Sequence, residues 1–282
     1  MILQKIDLYE YFNVRRPQNG EGYLYSYIAN NSREIDADRK HPAMLVLPGG
    51  GYAATSDREA EPIALAYCAK GFNAFVLRYS VAPVRHPYQL AESVMAMNYL
   101  RTNSDSLQID PDMIAAVGFS AGGHLCAMLG SICDDKDVSG IFNSTTNARP
   151  NAIVLGYPVI TSGPKANMGS FDNLCGKDNE ELIKRLDIYN LVNDKSAPAF
   201  IWSTNNDTCV PCRNALLAAL AYDNADVPFS LHIWGKGEHG LSLCTPVVYA
   251  NDKPLVNATQ SVNEWVDLSV EWLAEQGIKI KI

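Results

Sequence analysis

Ser120 stands in Gly118-Phe119-Ser120-Ala121-Gly122, a serine with glycines two residues before and two after it. A serine hydroxyl attacks carbonyl carbon only when a base removes its proton and a donor holds the oxygen charge that develops. The flanking glycines suit a serine raised on a sharp turn, where neighbouring backbone passes too close for a Cβ. Residues 113–118 read as an apolar strand and 121–131 as the helix that follows, so the turn falls on Ser120. A helix starting there aims its unpaired N–H groups and positive dipole end at the serine, and Ala121 becomes a candidate oxyanion donor. His124, four residues on, is poorly placed as the base and reads as a packing or helix-surface residue.

A second donor group follows the apolar run 43–47, in Pro48-Gly49-Gly50-Gly51-Tyr52. Three successive glycines allow a tight loop that presents bare backbone N–H groups, and Gly50 and Gly51 are the candidate donors. A phosphate-binding loop is excluded here, because neither G-K-[ST] nor the spacing G-x-G-x-x-G occurs in this loop. Downstream, Ser56 and Glu59 have the S-x-x-E spacing of a capping box, while Pro62 moves the helix start toward Glu61. These charges read as structural.

The base and its acid partner must follow later strands, in the order serine, acid, histidine. Asp207 lies just beyond the run 199–203, and His239 just beyond 229–233, in Glu238-His239-Gly240. Loops at the C-terminal ends of parallel strands share one rim, so all three side chains are expected to converge. The aspartate would accept a hydrogen bond from Nδ1 of the imidazole and stabilise its protonated form. Among the five histidines, His41 precedes Pro42 before the first core strand, His86 precedes Pro87 in a turn, and His232 lies within a strand. The acid alternatives are Asp223 and Asp226, at the far end of a helix, and Glu238, which is expected to point away from its neighbour. Cys209-Val210-Pro211-Cys212 has C-x-x-C spacing but no second ligand pair and no redox βαβ context, so it reads as two small apolar residues beside the acid loop. No metal or organic cofactor is implied.

The elements that must carry these residues alternate along the chain. Strands are expected at 43–47, 73–78, 113–118, 152–156, 199–203 and 229–233, each short and nearly all apolar, as in strands covered on both faces. Helices are expected at 87–101, where Leu90, Val94, Met97 and Leu100 fall near one face, and at 121–131, 178–185, 212–223 and 260–276. This order predicts an α/β fold, a mainly parallel sheet with helices on both faces. Residues 22–28, aromatic and alternating, are read as an edge strand, and 30–41 as a polar hairpin-like connector. No repeat or linker divides the chain, so one domain over 1–282 is expected, with an N-terminal region 1–42 and a core 43–282. The stretch 158–191 shows one helix and little material for a lid.

The formal charge of −8 argues against nucleic acid or anionic membrane as a partner, because both would repel it. No apolar run approaches the roughly 18 residues that span a bilayer, and residues 1–11 do not read as a signal peptide. Seven scattered cysteines, an odd number, read as reduced thiols, and a cytoplasmic location is expected.

Taken together, the glycine loop 48–52, the run 118–124, Asp207-Thr208-Cys209-Val210-Pro211 and Glu238-His239-Gly240 resemble the α/β-hydrolase esterases related to acetylxylan and feruloyl/acetyl esterases. More distantly they are similar to the hormone-sensitive lipase group, with Pro48 where that group's H-G-G-G loop has a histidine. The resemblance, from about residue 43 to 275, implies the α/β-hydrolase fold and a serine esterase with Ser120, Asp207 and His239 as its triad. It implies a small-molecule ester substrate; the scant lid material in 158–191 predicts short acyl chains, with O-acetyl groups on sugars as one class, and a homo-oligomer is left open. The rival readings are a serine peptidase of the prolyl-oligopeptidase type, whose propeller domain this chain lacks the residues to build, and a non-catalytic binding protein on the same scaffold.

Overall fold

Eight strands join in one sheet, in the order β1-β2-β4-β3-β5-β6-β7-β8. The computed structural model describes residues 1–249 and 258–280. Strand β1 (Ile2–Asp7), the short helix α1 (Leu8–Phe12) and β2 (Tyr23–Ile28) come first. They are followed by β3 (His41–Leu47), α2 (Glu61–Ala69), β4 (Asn73–Arg78), α3 (Tyr88–Thr102) and β5 (Ile109–Phe119). Next come α4 (Ala121–Ile132), α5 (Lys136–Ser139), β6 (Ala152–Gly156), α6 (Met168–Cys175), α7 (Glu180–Arg185) and α8 (Ile188–Leu191). The last elements are β7 (Ala199–Thr204), α9 (Arg213–Asn224), β8 (Phe229–Trp234) and α10 (Trp265–Glu275).

The strands from β3 to β8 run parallel to one another, while β2 pairs antiparallel with both β1 and β4. Period-2 alternation divides the buried side chains between two cores. Leu45, Leu47, Ala116, Leu155 and Ile201 share one with Leu90 of α3, Leu125 of α4 and Tyr222 of α9. Met44, Val46, Val117, Val154, Phe200 and Trp202 share the other with Ile63 and Tyr67 of α2 and Trp265 of α10. Both faces are therefore covered, which is why these strands read as unbroken apolar runs. Among the described residues, no helix is long and apolar enough to cross a membrane.

Three elements differ from expectation. The stretch 22–28 is not the edge: β1 pairs along its whole length, from Ile2 opposite Ile28 to Asp7 opposite Tyr23. That strand carries Gln4, Lys5 and Asp7 and is largely exposed, as an edge strand with blunted pairing capacity should be, so it gave no burial pattern to read. Helix α3 is buried from Gln89 through Leu100, not along one stripe. Its polar members find partners inside: Glu92 accepts from the Ser80 N–H and the Tyr9 hydroxyl, and Gln89 donates to the Val84 carbonyl. The stretch 158–191 holds three short helices instead of one. Each is started by a side-chain cap, Asn167, Asn179 or Asp187; α7 is the helix expected at 178–185, while α6 and α8 are additional.

Trp202 and Trp265 stack with ring centroids 5.2 Å apart, both fully buried between the sheet and α10. The indole N–H of Trp265 donates to the Ser242 carbonyl, just beyond His239, at 2.9 Å. Trp265→Ala is expected to lower the unfolding free energy by about 3–5 kcal/mol, measured by urea denaturation.

Candidate active site

Parallel register sets the site. Leu47 lies beside Gly118, Phe119 beside Gly156, and Thr204 beside Trp234, so the loops after β3, β5, β6, β7 and β8 open on one rim. The order reverses at β3, whose successor β4 pairs on one side and β5 on the other. Ligands of open α/β sheets bind at such a switch point, outside the carboxyl ends of the strands.

Ser120 turns from β5 into α4 with φ 53° and ψ −120°, a strained region for a non-glycine residue that costs about 1–3 kcal/mol. The surrounding main chain holds it there: its N–H donates to the Gly156 carbonyl at 3.0 Å, and its own carbonyl accepts from His124 and Val159. Both flanking glycines are required by space. A Cβ on Gly118 would stand 2.2 Å from the Gly122 carbonyl oxygen, and one on Gly122 would stand 2.1 Å from that of Leu47.

Ser120, His239 and Asp207 come together. His239 Nε2 lies 2.8 Å from Ser120 Oγ, and Nδ1 lies 2.7 Å from Asp207 Oδ2. The other Asp207 oxygen accepts from the N–H groups of Cys209 and Val210, both at 2.9 Å. The aspartate side chain is fully buried, whereas that of His239 is 21% exposed. This pattern fits an imidazole with its proton on Nδ1 and a free lone pair on Nε2 facing the hydroxyl. The acid and histidine loops are also tied directly: Thr204 Oγ1 donates to the Gly237 carbonyl and Gly237 N–H to Asn206 Oδ1, both at 2.6 Å.

Of the candidate donors, Gly50 and Gly51 take φ 129° and 62°, which favour glycine, and a Cβ on Gly50 would stand 2.2 Å from the Ala54 carbonyl oxygen. Among the described residues, no protein acceptor takes the N–H of Gly50, Gly51 or Ala121. Gly49 lies against Ser120, but its N–H is taken by the Glu59 carboxylate at 2.8 Å. The S-x-x-E spacing is thus no capping box: Ser56 makes no side-chain cap, and Glu59 turns inward and is buried. Burial pushes its carboxyl up, opposed by the Tyr157 hydroxyl, the Gly49 N–H and the nearby His239 and Arg58.

His124 is buried, not at the surface. The Tyr52 hydroxyl and its Nδ1 are 2.9 Å apart, and its Nε2 lies 2.8 Å from the Leu186 carbonyl oxygen, so it bridges the glycine loop to the residue after α7. Asn173 of α6 donates to the Gly51 carbonyl at 2.8 Å, and the Tyr79 hydroxyl donates to that of Pro48. The other histidines stay apart from the site's hydrogen bonds: His41 bonds the Gly71 carbonyl and Asn31, His232 bonds Ser230, and His86 faces Arg185. Asp223 lies at the end of α9, with Asp226 just beyond it. Cys209 and Cys212 are free, and the Cys209 sulfur accepts from Asn167. His86, Asp135 and Asp137 could bring three ligand atoms together, but the Arg185 guanidinium bonds Asp137 and lies 3.3 Å from His86 Nε2, where a cation would be repelled.

A sequence model of the BD-FAE family matches residues 33–220. The chain belongs to this family of α/β-hydrolase esterases. BD-FAE membership agrees with the solved structure of an acetyl ester-xyloside bifunctional hydrolase from Caldicellulosiruptor lactoaceticus, which is 34% identical with a TM-score of 0.82. That match covers 98% of this chain and 97% of the other. Endo-1,4-beta-xylanase B of Butyrivibrio fibrisolvens is 32% identical over 78% of this chain and 34% of its own length. The acetylxylan esterase of Xylanibacter ruminicola is 29% identical over 72% of this chain and 42% of its own. The chain thus spans less than half the length of these two curated relatives. Relatives and structural neighbours similar to this chain are named as esterases and carboxylesterases.

His124 titrates in a way the fold must resist. Burial pulls its pKa down to about 4 from an ordinary 6.5, so folding favours the neutral ring. Its contribution is complete above pH 6.5 and is lost as pH falls toward 4. His86, also pulled to about 4 by burial, acts in the same sense, whereas burial pushes Glu92 up to about 7, which opposes them between pH 4.5 and 7. Comparison with His124→Gln isolates the one ring: the variant is expected to lose less stability than the wild type between pH 6.5 and 4 in urea titrations.

Proposed function

We propose that this BD-FAE esterase cleaves short-chain carboxylic esters through an acyl-enzyme, with Ser120 as nucleophile, His239 as general base and acid, and Asp207 as its orienting partner. The observation that carries this reading is the unbroken relay from Ser120 Oγ to His239 Nε2 at 2.8 Å and from Nδ1 to Asp207 at 2.7 Å. As Ser120 Oγ attacks the ester carbonyl, its proton moves to Nε2 and the buried aspartate stabilises the imidazolium. The oxyanion is received by the N–H groups of Gly50, Gly51 and Ala121, two from a loop pinned on several sides and one at the positive end of α4. The imidazolium then gives its proton to the leaving alcohol. A water molecule, deprotonated by the same Nε2, releases the carboxylic acid and restores the serine.

O-Acetyl groups on sugars are the substrate class we favour, because relatives similar to this chain are named an acetylxylan esterase and an acetyl ester-xyloside hydrolase. Helix α6 is tied to the glycine loop by the bond from Asn173 to the Gly51 carbonyl, beside the proposed oxyanion donors. Ser120→Ala is expected to lower kcat on p-nitrophenyl acetate by about 1,000-fold or more. In a series from acetate to palmitate, kcat/KM is expected to fall with chain length, and acetate should be released from acetylated xylo-oligosaccharides. A preference for long chains would overturn the acyl-size reading, and no acetate from the oligosaccharides would overturn the sugar one.

A further inference from the structure

The reading above leaves a second buried carboxylate beside the first three side chains unexplained. Glu59 is only 3% exposed, and no ion pair with it is present among the described residues. A buried charge without a cation costs several kcal/mol unless hydrogen bonds satisfy it. Both of its oxygens are used, and on different loops. Oε2 accepts from the Gly49 N–H at 2.8 Å, and Oε1 accepts from the Tyr157 hydroxyl at 2.6 Å.

Gly49 is wedged between this carboxylate and the nucleophile: a Cβ there would stand 2.7 Å from Glu59 Oε2 and 3.0 Å from Ser120 Cβ. Holding its N–H fixes the main chain that runs directly into Gly50 and Gly51. On the other side, the Tyr157 hydroxyl accepts the Ser242 N–H at 2.9 Å, three residues beyond His239. The Tyr157 ring also packs edge to face against His239, centroids 5.0 Å apart. Ser242 closes the circuit, its hydroxyl donating to the carbonyl of Arg58, the residue before Glu59.

We propose that Glu59 is a positioning residue for the ester cleavage, registering the glycine-loop oxyanion donors against the histidine loop through Gly49 on one side and Tyr157 on the other. The proposal rests on the esterase reading above and adds a specific consequence. A carboxylate can accept from both donors at once; a glutamine at this position keeps one acceptor, so its amide N–H can meet Tyr157 only if that hydroxyl reverses from donor to acceptor while already taking the Ser242 N–H, which alters the geometry of the tie. The change falls on geometry needed in the tetrahedral transition state and not on binding of the planar ester. It therefore belongs in kcat.

The test uses the whole protein with Glu59→Gln, Tyr157→Phe and Ser120→Ala, active sites titrated with a fluorophosphonate probe and p-nitrophenyl acetate as substrate. Glu59→Gln is expected to lower kcat per titrated site about 10- to 100-fold, as displacement of oxyanion donors does, with KM changed less than about 3-fold. Its Ki for a short alkyl trifluoromethyl ketone, which forms a tetrahedral adduct on the serine, should rise by the factor that kcat/KM falls. Tyr157→Phe, which cuts only the tie to the histidine loop, should shift kcat in the same direction by a smaller factor. A merely structural Glu59 would lower the melting temperature and the titrated fraction while leaving kcat per site and the ketone Ki unchanged, and that result overturns the proposal. Should Glu59→Gln not fold, Tyr157→Phe decides, and a wild-type kcat per site there overturns it equally. If the wild type takes no label and cleaves no ester, the underlying reading fails first, an outcome distinct from either.

Discussion

A methyl group on Gly122 would stand 2.1 Å from the carbonyl oxygen of Leu47 and 2.4 Å from that of Pro48. The first turn of α4 and the start of the glycine loop therefore meet main chain to main chain, with no side chain between them. In the proposed reaction, this approach is what would let a donor at the helix start and donors in the loop address one oxygen. It depends in turn on register, since Leu47 pairs beside Gly118 and both strands end at the same height. Strain at Ser120 follows from the same constraint. The chain must reverse within one residue to leave β5 and enter a helix that close, and hydrogen bonds to the Gly156 carbonyl and from the His124 and Val159 N–H groups hold it there.

The parts of the site carried by strand ends were legible in the sequence. Ser120, Asp207 and His239 each follow an apolar run closely enough that parallel order alone puts them on one rim, and their spacing needs no tertiary information. The glycine loop was legible because its backbone angles exclude other residues. Elements that depend on partners distant in sequence were not. Glu59 has the spacing of a helix cap, and nothing local says that its carboxylate reaches Gly49 and Tyr157, ten and ninety-eight residues away. Tyr157, Thr204 and Asn206 sit at strand ends with no motif around them, although polar residues at that rim are where such ties have to occur. Strand β1 escaped because an exposed edge strand of mixed polarity carries no burial signal, and α3 because a helix buried all round has no stripe.

The carboxylates inside this protein are stabilised differently according to what each must do. Asp207 takes two backbone N–H groups on one oxygen and the imidazole on the other, the arrangement that the proposed proton transfer to His239 would need. Glu92 is satisfied by hydroxyls and a backbone N–H from α1 and the end of β4, and it ties the N-terminal elements to α3. Both solutions satisfy lone pairs with short, directed donors in place of a mobile lysine or arginine. In a low-dielectric interior such donors fix orientation as well as charge.

Preorganisation of an oxyanion site requires that donors not move as charge develops, because reorganisation at that moment would consume the electrostatic gain. A run of three glycines is the least rigid peptide available, so rigidity must come from outside the loop. Here it is drawn from four directions: Tyr79 after β4 holds the Pro48 carbonyl, Glu59 the Gly49 N–H, Asn173 of α6 the Gly51 carbonyl, and His124 of α4 the Tyr52 hydroxyl. The anchors leave the N–H groups of Gly50 and Gly51 without a protein acceptor among the described residues and bind nearly everything around them. Flexibility in the sequence and rigidity in the fold are thus the same design seen at two scales. Glycine permits the required φ values, and residues up to 122 positions away forbid the rest.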